Sequence, residues 1–539
     1  MFRIVTRYIY AACAVTSVLI LLLTLTNWSN EKKNRSERSV SVNSEIIFSR
    51  DPTRNTSTAD HHRRDKVAEM MRHAWNNYKL YAWGKNELKP ISKRAHLSSV
   101  FGAQNLGATI VDGLDTLYLM GMYDEFNEGR DWVANHLNFK QVDTELSVFE
   151  TTIRFVGGLL SCYSLTGDTV FRDKAAEVAD ALLPAFETPT GLPFALINPA
   201  TKASRQYQWA GTNSILSEVG TLHLEFTYLS EITGNDIYKQ KVDKIRDVLD
   251  KIEKPNNLYP NFINPRTGQW GQRHTSLGAL GDSFYEYLLK AWLMSGGGDS
   301  QAREMFEVAM QAALGKMLHV SPAGLAYLVE VKYGRVMEEK MDHLSCFTGG
   351  MFALASTSLQ SPHSAQYLDV AKRLTNTCHE SYVRSDTKLG PEAFRFTGAV
   401  EARAQKSNEK VFLLRPETFE SYFVLWRVTR EQKYRDWGWE AVQALEKHCR
   451  VEAGYTGLSN VYYKKPDGDD VQQSFFLAET LKYLYLLFAD DSLISLDDWV
   501  FNTEAHPLPI KGKNPLYRQY NQVKEKAVLQ PPIDEPQQI

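Results

Sequence analysis

The run Phe149-Glu150-Thr151-Thr152-Ile153-Arg154-Phe155-Val156-Gly157-Gly158-Leu159-Leu160-Ser161-Cys162-Tyr163-Ser164-Leu165-Thr166-Gly167-Asp168 decides the fold. Phe149, Ile153, Val156, Leu159 and Leu160 recur at helical spacing, with Glu150 and Arg154 four apart on one face. The segment breaks at Gly167-Asp168, and an amphipathic helix follows. The same pattern runs from Glu218 to Ser230, breaks at Thr233-Gly234-Asn235-Asp236 and again leads into an amphipathic helix. Phrases around Asp112, Asp282, His343, Glu417 and Glu479 open in the same way, mostly at intervals of roughly sixty to seventy residues. Such self-similarity predicts helical hairpins packed side by side.

The first helix of each hairpin is too apolar for a surface, yet it carries ionisable groups. It must be buried on one side and face water or a ligand on the other. A ring of inner helices wrapped by outer ones meets both demands, because the carboxylates then converge on a central cavity. Segments such as Asp124 to Leu137, with Phe126, Trp132, Val133 and Leu137 on one face, are the amphipathic cover. Gly157-Gly158 and Gly349-Gly350 fall inside helical patterns, where each glycine costs about 1 kcal/mol relative to alanine. Close helix–helix approach is the expected compensation.

The repeats run without a Pro/Gly/Ser-rich divider, so the expected body is one large all-α domain over residues 65–510, although the chain has 539 residues. The 61 Lys and Arg nearly balance the 64 Asp and Glu, which leaves no polyanion-binding bias and argues against nucleic acid as a partner. Tyr8 to Thr26 carries no charge and follows Arg3 and Arg7. Residues 8–28 are therefore expected to be an uncleaved transmembrane signal anchor, with residues 1–7 cytosolic and the remainder lumenal. A cleaved signal peptide is the competing reading, but no A-x-A site follows the apolar run. Residues 29–64 lack apolar periodicity and form the expected lumenal stem, with acceptor sequons at Asn34-Arg35-Ser36 and Asn55-Thr56-Ser57. Residues 511–539 are the expected disordered tail.

Cys13 lies in the apolar N-terminal run, leaving Cys162, Cys346, Cys378 and Cys449 on the lumenal side. Cys346 and Cys378 bracket one hairpin, and a bridge there would stabilise by roughly 3–4 kcal/mol. Zinc ligation competes with that reading, without support from any CxxC or paired-His spacing. Spacing alone leaves the pairing open.

The chemistry rests on carboxylates. No GxSxG, P-loop or HExxH pattern occurs. What recurs is Glu beside an apolar helix face, as in Phe149-Glu150-Thr151, Arg415-Pro416-Glu417-Thr418 and Leu477-Ala478-Glu479-Thr480. Glycosidic bond hydrolysis needs one protonated and one ionised carboxyl group. Capping or pairing with arginine would account for any single Glu, but not for a ring of them around one cavity.

Phe501-Asn502-Thr503-Glu504-Ala505-His506-Pro507-Leu508-Pro509, Leu414-Arg415-Pro416-Glu417-Thr418, Val111-Asp112-Gly113-Leu114-Asp115-Thr116-Leu117 and Lys340-Met341-Asp342-His343-Leu344 together resemble the class I α1,2-mannosidases of glycoside hydrolase family 47. The resemblance covers about residues 65–510 with the motifs in order. It implies an (α/α)7 barrel, a bound calcium ion (Ca2+) and inverting removal of α1,2-linked mannose from high-mannose N-glycans.

By the same resemblance, Glu150 matches the general acid, Glu417 the general base and Asp282 a third essential acid. Thr503 matches the residue that gives calcium its hydroxyl and carbonyl oxygens, with Glu479, Glu420 and Glu504 holding waters around the ion. Arg154, Glu218, His343, Arg415, Phe475, Glu479 and Glu504 match substrate-binding positions, Phe475 as the ring beneath the terminal mannose. Cys346 and Cys378 match the family's disulfide, which leaves Cys162 and Cys449 unpaired. Arg154 complicates the acid assignment, because a guanidinium one turn away favours a charged partner whereas a general acid must hold a proton.

Leu280, two residues before Asp282, stands where Golgi members of the family have leucine and endoplasmic reticulum members have arginine. An aliphatic side chain there removes hydrogen bonds to one glycan branch and opens the site to several. The resemblance thus implies trimming of nine-mannose glycans to the five-mannose form by a type II protein of the Golgi membrane. Two alternatives stand beside it. A lumenal mannose-glycan lectin, or a degradation-enhancing mannosidase-like protein with weak turnover, would have lost the acid or the calcium threonine, and this chain keeps both. An endoglucanase-like (α/α)6 hydrolase would lack the Asn502-Thr503-Glu504 motif and the anchor.

Overall fold

Polar turns between apolar and amphipathic segments set the helix boundaries. Gly167 ends one helix in the left-handed region at φ +76°, and the Asp168 side chain at once caps the next by accepting from the Val170 N–H at 3.0 Å. Asp299 opens another outer helix in the same manner, accepting from the Ala302 N–H at 3.1 Å. The computed structural model describes residues 57–98 and 100–520.

Among the described residues fourteen helical segments alternate between an inner and an outer layer. The inner set is α2 (Ala108–Leu119), α4, α6, α8 (Asp282–Met294), α10, α12 (Glu417–Thr429) and α14. α4 runs as Val148–Glu150, a π-helical stretch Thr151–Val156 and Gly157–Thr166, and α6 is broken into Leu216–Gly220 and His223–Thr233. α10 begins with a 3-10 turn His343–Phe347 before Thr348–Ser358, and α14 with a π stretch Phe476–Thr480 before Leu481–Phe488. The outer set is α1 (Thr58–Ala82), α3 (Tyr123–His136), α5 (Thr169–Leu182), α7 (Ile237–Lys251), α9 (Ser300–Lys316), α11 (Ser364–Val383) and α13 (Lys433–His448). Each inner helix packs on the next, and α14 packs back on α2. α1, first among the described residues, covers α14, so the first and last helices of the ring close it together.

A late hairpin enters this ring from the end at which the inner helices finish. Its strands Trp499–Phe501 and Pro507–Pro509 pair with Val500 opposite Leu508, both buried, and pack against α8 and α4. The tip, Asn502 to His506, thereby sits among the inner helices.

The glycines in α4 and α10 show what permits such close packing. A Cβ on Gly349 would lie 2.0 Å from Thr375 Oγ1 and 3.0 Å from Ser421 Oγ, so α10 meets its neighbours α11 and α12 at backbone distance, as the pattern predicts. Gly157 differs from the expectation. A Cβ there would meet Asn502 Nδ2 at 2.4 Å, so this glycine makes room for the hairpin tip and not for another helix.

Cys346 and Cys378 form a disulfide that ties the start of α10 to α11, while Cys162 and Cys449 are free and buried. Two expected boundaries need correction. α1 begins at Thr58, inside the segment read as stem, because Ser57 caps it and buried Asp60 pairs with Arg435 of α13. The tail read as disordered from Lys511 is packed at its start, where Lys511 and Tyr517 both contact Glu231 and Leu516 is buried. The anchor over 8–28, its flanking segments and residues 521–539 lie outside the described residues. Among the described residues no helix is long and apolar enough to cross a membrane.

Overpacking a helix contact of this kind costs about 1–3 kcal/mol. Gly349→Ala is expected to lower unfolding free energy by that amount in a urea titration with an unchanged m-value. Wild-type stability in the variant would show that Thr375 and Ser421 can move aside.

Candidate active site

The inner helices begin at one end of the ring, and that end gathers the acids. Asp282 and Glu417 are the first residues of α8 and α12, Glu150 closes the opening turn of α4, Glu218 lies in the first segment of α6, and Phe475 directly precedes α14. Helix N-termini carry partial positive charge, which lowers the cost of placing carboxylates together there. The loops entering α8 and α12 each hold a leucine in the left-handed region, Leu280 at φ +75° and Leu414 at φ +63°. Strain of this sort at a non-glycine residue persists where surrounding packing dictates it, and it concentrates at functional sites. The result is a cavity of about 320 Å3 whose wall includes Glu150, Arg154, Glu218, Leu280, Asp282, Arg415, Glu417, Phe475, Glu479, Thr503 and Glu504. Of the predicted site residues, only His343 stands behind the wall, in contact with Glu417.

That contact sets the state of Glu417. His343 Nδ1 lies 2.6 Å from Glu417 Oε2, and its Nε2 lies 2.6 Å from the Tyr382 hydroxyl. A carboxylate only accepts, so Nδ1 carries a proton and donates to Glu417, while Nε2 shares a hydrogen bond with the Tyr382 hydroxyl. Arg415 Nη1 approaches Glu417 Oε1 at 3.8 Å while its fork is held by two 2.6 Å hydrogen bonds to Glu392. Burial opposes ionisation of Glu417, but the His343 hydrogen bond and the charges of His343 and Arg415 outweigh it and hold its carboxyl below the usual range.

Asp282 and Glu218 are in the opposite condition. Burial pushes Asp282 up to about 7, reinforced by the charges of Glu286 and Glu417, although the Ser283 N–H donates to Oδ1 at 2.8 Å. Burial likewise pushes Glu218 up to about 8, with the Glu150 charge next in importance. Glu218 Oε2 has no hydrogen-bond partner within the described protein. One cavity therefore presents a carboxylate held ionised at Glu417 and carboxyls that keep protons near neutrality.

Arg154 is the hub of the opposite wall. Its Nε donates to Glu150 Oε2 at 2.9 Å, and Nη1 reaches Glu504, Asp112 at 3.4 Å and Ser474 Oγ at 3.2 Å. The guanidinium also lies 5.7 Å from the centre of the Phe475 ring. Arg154 sits within the π-helical stretch of α4, and the irregularity leaves the Ile153 carbonyl to accept from Asn502 Nδ2 at 2.9 Å. Asn502 spends its amide fully, donating also to Glu225 at 2.8 Å and accepting from the N–H groups of Glu504 and His506 at 2.9 and 2.8 Å. The tip that carries Thr503 is thereby locked.

Around Thr503 the donors are all oxygen. Glu286, Glu420, Glu479 and Glu504 are buried beside it, with Lys290 paired to Glu286 and 3.7 Å from Glu420. Burial and mutual repulsion push Glu420 and Glu504 up to about 8 and Glu479 well above the carboxylate range. Such a surplus of buried carboxylates beside a hydroxyl fits a hard divalent cation. Among the described residues no three His, Cys, Asp or Glu side chains converge closely enough to ligate a metal by themselves. A cation here would take much of its shell from Thr503, water and sugar hydroxyls.

Several residues of the site carry no sequence signal of comparable strength. Lys290 was visible only as an i, i+4 partner of Glu286, and Glu392 belongs to no repeat phrase. Tyr207, whose hydroxyl lies beside Glu218 and Ser147, comes from the loop that joins outer α5 to inner α6.

The profile of Glycosyl hydrolase family 47 matches residues 70–510. A mannosyl-oligosaccharide alpha-1,2-mannosidase IA of Spodoptera frugiperda is 78% identical over 475 residues, which are 88% of this chain and 70% of that protein. A mannosyl-oligosaccharide 1,2-alpha-mannosidase IB of Homo sapiens is 54% identical over 449 residues, 83% of this chain and 70% of that one. Among solved structures, an alpha-1,2-mannosidase from Trichoderma reesei superposes with a TM-score of 0.77 at 29% identity, covering 84% of this chain and 99% of its own. With the family profile spanning most of the chain and the acid-lined cavity formed by its motifs, this protein belongs to glycosyl hydrolase family 47.

Proposed function

We infer that this chain is a mannosyl-oligosaccharide 1,2-α-mannosidase that removes terminal α1,2-linked mannose from high-mannose N-glycans. The observation that carries this reading is the convergence of Glu150, Glu218, Asp282 and Glu417, from four separate inner helices, on one cavity that also holds the Thr503 tip. A lectin needs neither an ionised carboxylate held by His343 nor proton-bearing acids facing it.

The terminal mannose enters with its ring over Phe475. Glu417, kept ionised by its partners, takes a proton from a water that attacks C1. The leaving oxygen is protonated from the Glu150 side. Arg154 occupies Glu150 Oε2 and positions that carboxyl, while Glu218 beside it stores the proton, which resolves the conflict between an adjacent arginine and an acid role. Attack and departure on opposite faces invert the anomeric carbon. Asp282 shares the Glu417 side of the cavity and, while protonated, donates a hydrogen bond to water or sugar. Calcium is the cation that the oxygen donors around Thr503 support; when bound it would neutralise those carboxylates and fix sugar hydroxyls.

The disulfide supports an oxidising compartment for the catalytic body. Together with the uncharged run Tyr8 to Thr26 and its basic flank, it supports a type II protein of the Golgi membrane with the barrel in the lumen. Leu280, on the cavity wall with an aliphatic side chain, supports trimming of several branches towards the five-mannose form.

On a mannose-terminated glycan, NMR is expected to detect β-mannose as the first product, with turnover abolished by chelation and restored by calcium. Glu417→Gln should lower kcat by roughly 100- to 10,000-fold without unfolding. α-Mannose as the first product, or near-normal turnover in the variant, would remove Glu417 from the base role.

The proton-bearing acids set a pH window. Asp282 and Glu218 release their protons near 7 and 8, so kcat/KM should fall as pH rises through that interval and stay level on the acid side down to the depressed value of Glu417. Because the folded state holds these protons after the unfolded chain has lost them, the contribution of these groups to folding stability should decline from about pH 4, where the unfolded carboxyls ionise, and level off once pH passes the folded values near 7 and 8. Glu218→Gln cannot titrate and should shift the alkaline limb; a limb that stays in place would assign it to other groups.

Leu280→Arg is expected to make trimming stop early on one branch in a timed glycan profile. An unaltered order and extent of trimming would disprove the role of this side chain.

A further inference from the structure

Lys290 carries a buried ammonium that the hydrolytic chemistry leaves without a role. It lies two turns into α8 from Asp282, with Glu286 one turn before it on the same face. Its Nζ pairs with Glu286 Oε1 and stands 3.7 Å from Glu420 Oε1 of α12, and the charge of Glu479 in α14 also acts on it. All four side chains are buried. On its other side the ammonium meets a small cavity walled in part by Leu293, Leu354, Leu496, Trp499 and Phe501, side chains that offer no acceptor. Burial alone would drive such a group neutral, yet the carboxylates outweigh it and raise its pKa, so Lys290 stays charged.

Its place in the charge balance is specific. Of the carboxyls around Thr503, Glu504 is answered from the opposite wall by Arg154, which is shared with Glu150 and Asp112, and by the charge of His506. Lys290 answers the other side of the cluster, Glu286 and Glu420. Glu479 pairs with neither cation, so the cluster remains short of positive charge even with both in place. A lysine suits this position because its ammonium is a compact point charge, free of the planar geometry that a guanidinium imposes. The same carboxylates that hold Lys290 are those that a divalent cation beside Thr503 would draw on.

We propose that Lys290 is a resident counter-ion of the cation site, answering Glu286 and Glu420 while the ion is away and opposing the ion when it is bound. The inference rests on the reading of the Thr503 cluster as a divalent-cation site. Ion and ammonium act on the same carboxylates, so each partly replaces the other. Loss of the ammonium then costs the metal-free protein more than the loaded one. By linkage, the ion must bind more tightly once the ammonium is gone. What Lys290 confers is a ring that stays folded without the ion and a site that releases it.

The test titrates calcium alone into the chelator-treated full chain by calorimetry and follows thermal melting with and without the ion. Lys290→Met keeps the length of the side chain without its charge. It is expected to tighten the calcium dissociation constant roughly ten-fold or more, and to lower the melting temperature more without calcium than with it. The double variant Lys290→Met, Glu286→Gln loses one charge of each sign and should return the affinity towards the wild-type value. Unchanged or weakened binding in Lys290→Met, or a melting temperature lowered equally in both conditions, overturns the proposal. A Lys290→Met protein unfolded in both conditions overturns it too, since the ion would then fail to replace the ammonium. A wild-type protein that binds no calcium would instead overturn the reading of the Thr503 cluster as a cation site.

Discussion

Everything at the open end of this ring depends on where buried positive charge is placed among carboxylates. The Arg154 guanidinium joins α4 through Glu150, α2 through Asp112, the late hairpin through Glu504 and the lead into α14 through Ser474. These four segments come from separate parts of the chain, and one side chain touches all of them. A buried ion pair adds little net stability over an apolar pair, but removing one member costs about 3–5 kcal/mol because the other is left uncompensated. Arg154 therefore serves less as a source of stability than as a geometric pin. While it is present, Glu150 and the Thr503 tip keep one relative position.

A second buried network holds the hairpin from beneath. Lys482 of α14 lies 2.8 Å from Asp115 of α2 and donates to the Ala505 carbonyl at 2.6 Å, while His506 Nδ1 lies 2.8 Å from Asp115. Burial opposes charge on His506, yet Asp115 and Asp112 outweigh it and raise its pKa. The tip is thus gripped by charges below and by the Asn502 amide within. Above this rigid base the carboxylates around Thr503 repel one another, answered among the described residues by Lys290, by Arg154 and, at Glu504, by His506. Such a site is organised by the fold but incomplete in charge, which is the condition that a divalent cation relieves.

Much of this was legible before any coordinates. The hairpin period, the polar turns at Gly167-Asp168 and Gly234-Asn235, and the acids at the mouths of apolar helices are local patterns, and local patterns follow from helix geometry. Other features resisted reading for identifiable reasons. The π stretch Thr151–Val156 breaks the 3.6-residue period, so Phe149 and Ile153, which spacing assigned to a buried face, line the cavity instead. The boundaries at 65 and 510 fell short because the segments beyond them bury polar residues through distant ion pairs, Asp60 with Arg435 and Lys511 with Glu231. Such contacts have no local signature.

By itself, then, the sequence determined the recurrence of helical hairpins, the identity of the acids and, through motif resemblance, the type of barrel and the family. Helical periodicity and turn chemistry act over a few residues and are written there in full. Only the tertiary structure decided which acid holds its proton and which does not. Glu417 is kept ionised by a histidine 74 positions away, whereas Glu218 and Asp282 keep protons because burial strips them of water. Dielectric surroundings and charge partners exist only once the ring has closed, and they act on an acid through space whatever the length of chain between.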